Sequence, residues 1–172
     1  MRRVALALLG IAMLLAGCGV GTEHEAHQLD AAALPAPVDR ANVYLVEGDG
    51  LRLVPRLQAS ESVDGVLGLL LAGATPGETG SGLRSAIPSG LELRSVHVIA
   101  QVATIDLDEG FGALVGQDAL LAVAEIVLTV TRLPDVAEVA ISVGGRPLDL
   151  PAPAGTLHRP GRRSDYVRLV VR

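Results

Sequence analysis

The apolar positions of this chain switch between two periods. Asn42–Gln58, "NVYLVEGDGLRLVPRLQ", holds two apolar arms around Glu47-Gly48-Asp49-Gly50. Asp-Gly between such arms predicts a β-hairpin. In the second arm Leu51, Leu53 and Pro55 alternate with Arg52, Val54 and Arg56, which predicts one exposed face. Pro55 marks an edge strand, because it cannot donate to a neighbour. The period then changes. In "SESVDGVLGLLLAG", Val63, Val66, Leu67 and Leu70 follow the i, i+3, i+4, i+7 rule of an amphipathic helix. Ser62 is its N-cap, Asp64 suits the positive end of its dipole, and Gly73 stops it. Gly65 and Gly68 weaken that helix, and close approach to a sheet would explain them. "LELRSVHVIA" and "QVATIDLD" return to strand alternation and join tightly at Ala100-Gln101, predicting a second hairpin.

A longer helix follows over Gln117–Leu133, "QDALLAVAEIVLTVTRL", and Pro134 ends it. Asp118, Glu125, Thr129 and Arg132 sit at offsets of 0, 7, 11 and 14. At helical pitch they share a stripe roughly 60° wide. The rest of the circumference is almost wholly apolar, so this helix is covered on most sides, by its own sheet or by a partner. "VAEVAISVGG" is a last strand with Val136, Val139, Ile141 and Val143, turning at Gly144-Gly145. The order is ββ-α-ββ-α-β within residues 41–150. It predicts an α+β fold: a mostly antiparallel sheet with two helices on one face.

The ends of the chain behave differently. "MRRVALALLGIAMLLAGC" has a positive start at Arg2 and Arg3 and an apolar run, Val4 to Leu15. The run is too short to span a bilayer, which takes roughly 20 apolar residues. It has the form of a secretory signal. Leu15-Ala16-Gly17-Cys18 resembles the lipobox of bacterial lipoproteins. That resemblance implies a signal peptide over 1–17, lipid attached to the Cys18 thiol, and a position on the outer face of the cell membrane. Cys18 is the chain's single cysteine, so no intrachain disulfide competes for it. Residues 18–40 are polar and small, then rich in Ala and Pro, and read as a flexible tether. His24 and His27 lie there beside Glu23 and Glu25. A solvated acidic linker is preferred over a metal site, since third and fourth ligands are missing. Residues 151–172 are rich in Pro and Arg and read as a C-terminal extension. Either a solvated tail or a patch facing anionic headgroups fits Arg159, Arg162, Arg163, Arg168 and Arg172. The end, "DYVRLVV", fits a short strand or a helical turn that docks back.

Composition narrows the function. Phe111, Tyr44 and Tyr166 are the only aromatics, there is no Trp, and the net charge is −5. Base-stacking and general nucleic-acid binding are disfavoured. Loss of Arg2 and Arg3 with the signal leaves 12 arginines against 19 acids, a balance of −7.

The loop "GATPGETGSG", residues 73–82, raises the question of a phosphate cradle. Gly77 and Gly82 have the spacing of such a motif, but Leu83 and Arg84 stand where Lys and Ser/Thr are required. It also follows a helix instead of a strand, so it reads as a connector. Asp106, Asp108 and Glu109 cluster in "DLDEGF". Paired carboxylates suit calcium or acid/base work; a solvated strand-end turn is preferred. His97 alternates away from Val96 and Val98 and faces solvent. His158 lies in the tail, and Gly-x-Ser-x-Gly is absent. No catalytic residue, metal or cofactor site is expected.

Residues 42–150 resemble the GerMN domain of sporulation and spore germination proteins. The similar pieces are "VYLV", "LVPR", "LLLAGATPGE", "GLRSAIPSGLELRSV", "ATIDLDEGF" and "ALLAVAEIVLTVTRLPDVAEVAISVGG". "GRRSDYVRL" is similar to the ends of actinobacterial lipoproteins that carry this domain. Many relatives have Ser where Asp108 stands. The resemblance implies a non-catalytic module acting through contact with an envelope protein or with itself. Such domains resemble the small α+β modules that build rings in sporulation channels, and occur in lipoproteins linked to sensor-kinase signalling. It also implies structural roles for Gly73, Pro76, Gly77, Pro88, Gly90, Pro134 and Gly145, and helix packing by Ala119, Leu120, Val123, Ala124, Val127 and Leu128. The long apolar helix and the sheet edge are the expected contact surfaces. The alternative is a carrier of a small envelope ligand or cell-wall fragment, which needs a concave polar pocket.

Overall fold

The computed structural model describes residues 40–57 and 62–171. The signal peptide, Cys18 and the tether with His24 and His27 lie outside the described residues. In chain order the elements are β1 (Arg40–Glu47), β2 (Gly50–Leu57), α1 (Val63–Leu71), α2 (Pro76–Gly80), β3 (Leu83–Arg84), β4 (Leu93–Ile99) and β5 (Val102–Leu107). There follow α3 (Glu109–Gly112), α4 (Gly116–Val130), β6 (Glu138–Val143), β7 (Arg146–Pro147), β8 (Leu150–Ala152), β9 (Gly155–Leu157), β10 (Gly161–Arg162) and α5 (Arg163–Tyr166). A 3-10 turn closes the series at Val167–Leu169.

The α+β class and the predominance of antiparallel pairing are as the periodicity predicts. The strands, however, divide into three sheets: β2-β1-β3, β10-β6-β5-β4 with β7 also on β6, and β8-β9. Among the named strands the one parallel pair is β5–β6, from Val102 opposite Glu138 to Leu107 opposite Val143. Such a pair needs a long crossover, and α3 and α4 supply it. Both expected hairpins form. The first turns at Gly48-Asp49; the second turns at Ala100 and Gln101, which hold φ of 48° and 64°.

The core is laid around α4. All ten residues from Leu121 to Val130 are buried, Glu125 and Thr129 among them. α4 packs against β1, α1 and β8, with further contacts to β6, β10 and α5. Its apolar circumference is therefore covered from within the chain. This corrects the expectation that α4 offers a surface to a partner.

The alternation in β2 also misleads. Val54 is buried and Leu53 is 37% exposed, while Leu51 is fully covered. Both faces of the β1–β2 pair are partly packed, so period-two patterning fails there. Pro55 does lie on an edge strand. Gly68 gives no close approach: a Cβ built there meets nothing within 4 Å.

Residues 150–171 are not a solvated tail. β10 pairs with β6, and Tyr166 is completely buried. The Val171 amide donates to the Leu51 carbonyl at 2.9 Å, so the chain end closes part of the β2 edge. A Cβ on Gly50 would stand 2.7 Å from the Leu169 carbonyl oxygen. Only glycine admits that approach.

Candidate functional site

The polar stripe of α4 is turned inward, against the free edge of β1. β3 pairs with β1 only at Val46 and Glu47, which leaves the Tyr44 amide without a strand partner. The Thr129 hydroxyl accepts from it at 2.9 Å in a buried setting. One turn earlier, Glu125 accepts from the Ser85 hydroxyl at 2.8 Å and the Ala86 amide at 3.0 Å. Burial pushes the Glu125 carboxyl up to about 7, opposed by these hydrogen bonds and by Arg84. A desolvated carboxyl is easier to keep neutral than charged. Asp118, at the exposed end of the stripe, stands 3.5 Å from Arg84.

The "GATPGETGSG" stretch is a structural joint. Gly73, at φ 72°, ends α1 in the left-handed region that favours glycine. Thr75 and Glu78 form a capping box on α2, with Pro76 as its first residue. Gly77 sits in that short helix with open space around it. Arg56 of β2 reaches across to Glu78 at 2.7 Å and to the Gly73 carbonyl at 3.0 Å. Both heads are shielded, so this pair ties β2 to the joint more firmly than an exposed one would. The T-x-x-E spacing in the sequence carried this capping box, and the partner Arg56 carried no local signal.

The carboxylate cluster is committed to backbone. Asp108 caps α3 through the Gly110 amide at 2.8 Å and also accepts from the Glu92 amide at 2.7 Å. Asp106 accepts from the Gly145 amide and the Ser142 hydroxyl, both at 2.8 Å. The Gly145 hydrogen bond, then Ser142, hold its carboxyl below the usual range. Glu109 is exposed and 3.8 Å from Arg146. Asp106 and Asp108 thus hold separate backbone amides and Glu109 faces solvent, so the three do not form a converging pair. His97 is exposed, and His158 stands 3.0 Å from Asp149, both ends open to solvent.

The tail arginines are largely engaged inside the chain. Arg159 pairs with Asp165, and Arg162 with Glu138. Arg163 donates to the Tyr44 hydroxyl at 2.7 Å and lies 5.5 Å from its ring centroid. Arg168 is exposed, and Arg172 lies outside the described residues. Pro134 follows the turn after α4.

Two surfaces among the described residues stand open to a ligand or partner. One is a groove of about 650 Å³ walled by Leu71–Ala74 and Arg84–Gly90, with Pro88 and Gly90 in its wall and Asp118 at its rim. The other is the outer edge of β4. A register irregularity between Leu93 and Ser95 distorts one end of that edge. Ser95–Ile99 runs regularly to the turn, where Val98 is 41% and Ile99 76% exposed. Such an edge presents unpaired amides and carbonyls to any approaching strand.

A family model described as sporulation and spore germination, Germane, matches residues 42–149. The chain belongs to the Germane family. The Germane fold also appears in its structural likenesses. The tandem GerMN domains of the sporulation protein GerM from Bacillus subtilis align with a TM-score of 0.59 and 19% identity over 74% of this chain. The chain spans 47% of that tandem structure. The first GerMN domain of GerM alone aligns with a TM-score of 0.57 and 19% identity, covering 74% of this chain and 99% of that one. A lipoprotein candidate from Clostridium perfringens aligns at 0.50 and 18% identity, covering 78% of this chain and 93% of its own. Among curated proteins none matches. The Germane match ends at Asp149.

Proposed function

We propose that this Germane protein is a lipid-anchored, non-catalytic module of the bacterial envelope that works by protein contact. Lipid on Cys18 moors the chain, and residues 18–40 lift the folded module from the membrane. Among the described residues no helix is long and apolar enough to cross a bilayer, so the anchor of this reading is the thiol. The observation that carries the contact role is the open β4 edge ending in Ile99. Strand addition there would satisfy exposed backbone groups and bring new side chains beside Val98 on one face and Ile99 on the other. The partner is an envelope protein or a second copy of the chain. The capping roles of Asp106 and Asp108 support the absence of catalysis, because their oxygens are already held by backbone amides.

Affinity capture of the membrane-anchored chain, read by mass spectrometry, tests this reading. The wild type is expected to bring down a defined envelope partner, or itself, and Ile99→Asp to lose it while keeping the fold. Cys18→Ala is expected to release the chain from the membrane fraction. Recovery of the same proteins by wild type and Ile99→Asp contradicts the contact surface.

A further inference from the structure

The groove carries an inference of its own. Its lining combines one cation, Arg84, and one anion, Asp118, and no excess of either sign. Their heads lie 3.5 Å apart with side chains 50% and 60% exposed. An ion pair that open contributes little, so a ligand can replace it at small cost. The C-terminal end of α1 borders the same space at Leu71 and Ala72. Its Gly68 and Leu70 carbonyls are capped and Arg56 sits on the Gly73 carbonyl, so Arg84 and Asp118 carry the charge of the lining. Ala74, Ala86, Ile87 and Leu114 give the apolar part of the lining, and Thr79 and Ser89 add hydroxyls. Its size lies within the range of about 300–1,000 Å³ typical of small-molecule sites.

The wall is also held in advance. Ser85 and Ala86 line the groove, and both are fixed by the wholly buried Glu125. A wall ordered before binding lowers the entropy cost of the ligand's arrival.

We propose that this groove binds a small zwitterion, a dipeptide of small residues, with its carboxylate on Arg84 and its ammonium on Asp118. Asp118 disfavours polyanions, and simple cations gain nothing from Arg84. The inference deepens the ligand-carrier alternative and stands apart from the β4 edge. Ile99→Asp leaves the groove intact, so the two readings fail separately.

The test is a titration of the nitrogen-15-labelled full chain in detergent micelles with alanyl-alanine, in L,L and D,D forms. Saturable amide shifts are expected at Gly73, Thr79, Ser85, Ser89 and Gly90, with half-saturation at about 1 mM or below. Arg84→Gln and Asp118→Asn are each expected to weaken binding by about tenfold, as are the amide-capped and the acetylated dipeptides. Preference for the D,D form assigns a wall-derived ligand, preference for L,L a protein-derived one, and equal binding recognition of the zwitterion itself. Absence of saturable shifts up to about 10 mM overturns the proposal. So does unchanged binding by the doubly blocked peptide.

Discussion

Glu125 is a carboxyl placed where water cannot reach it, and its titration is a property of the fold. In the folded chain it keeps its proton up to about pH 7, whereas its ordinary value is 4.5. The folded state therefore holds more protons than the unfolded state between those values. Stability from this group is complete below about pH 4.5, falls as pH rises towards 7, and is level above. Glu125→Gln keeps an acceptor for the Ala86 amide and removes the ionisation. Urea unfolding across pH 4 to 8 is expected to show a shallower decline for Glu125→Gln than for wild type, with the variant the more stable at pH 8. An identical slope in both would remove Glu125 from the account. The sequence made the stripe of Asp118, Glu125 and Thr129 legible, because helical spacing is local. What the stripe faced was not legible. Its partners are the Tyr44 amide, 85 residues away, and Ser85 and Ala86, 40 and 39 away.

Helices and hairpins were readable where a turn residue and a period agreed. Ser62, Val66, Leu67 and Leu70 marked α1, and the Ser62 hydroxyl does accept from the Gly65 amide. Gly68 had no packing reason in the fold, so Gly68→Ala is expected to raise stability by about 1 kcal/mol, measured as a shift in urea midpoint. The β4–β5 turn was located by its neighbours and not by its own residues. Ala100 and Gln101 both occupy left-handed backbone, a conformation that Asn-Gly adopts far more readily. Replacing the pair by Asn-Gly is expected to stabilise the hairpin by about 1 kcal/mol, read by thermal unfolding. A loss of stability would show that the turn is held by contacts not evident in its geometry. The residues beyond 150 defeated pattern reading for a related reason. Strands of two or three residues carry no period. Tyr166 and Gly161 acquire their meaning only against β6, α4 and Leu150.

Among the described residues the fold encloses its most apolar helix, while the β4 edge and the groove stay open. Enclosure of α4 moves the proposed contact surface from the place its apolar pattern suggested to the β4 edge. On the proposed reading, lipid on Cys18 sets where that edge works, since an anchored module meets partners at the membrane and not in free solution. Both claims meet in a single measurement: a photo-crosslinking amino acid placed at Ile99 and activated in intact cells, with Cys18→Ala as the paired control. The account predicts a discrete crosslinked adduct in the membrane fraction, lost when Cys18 is replaced. A chain that remains uncrosslinked at native abundance, or one that crosslinks equally without Cys18, would contradict it.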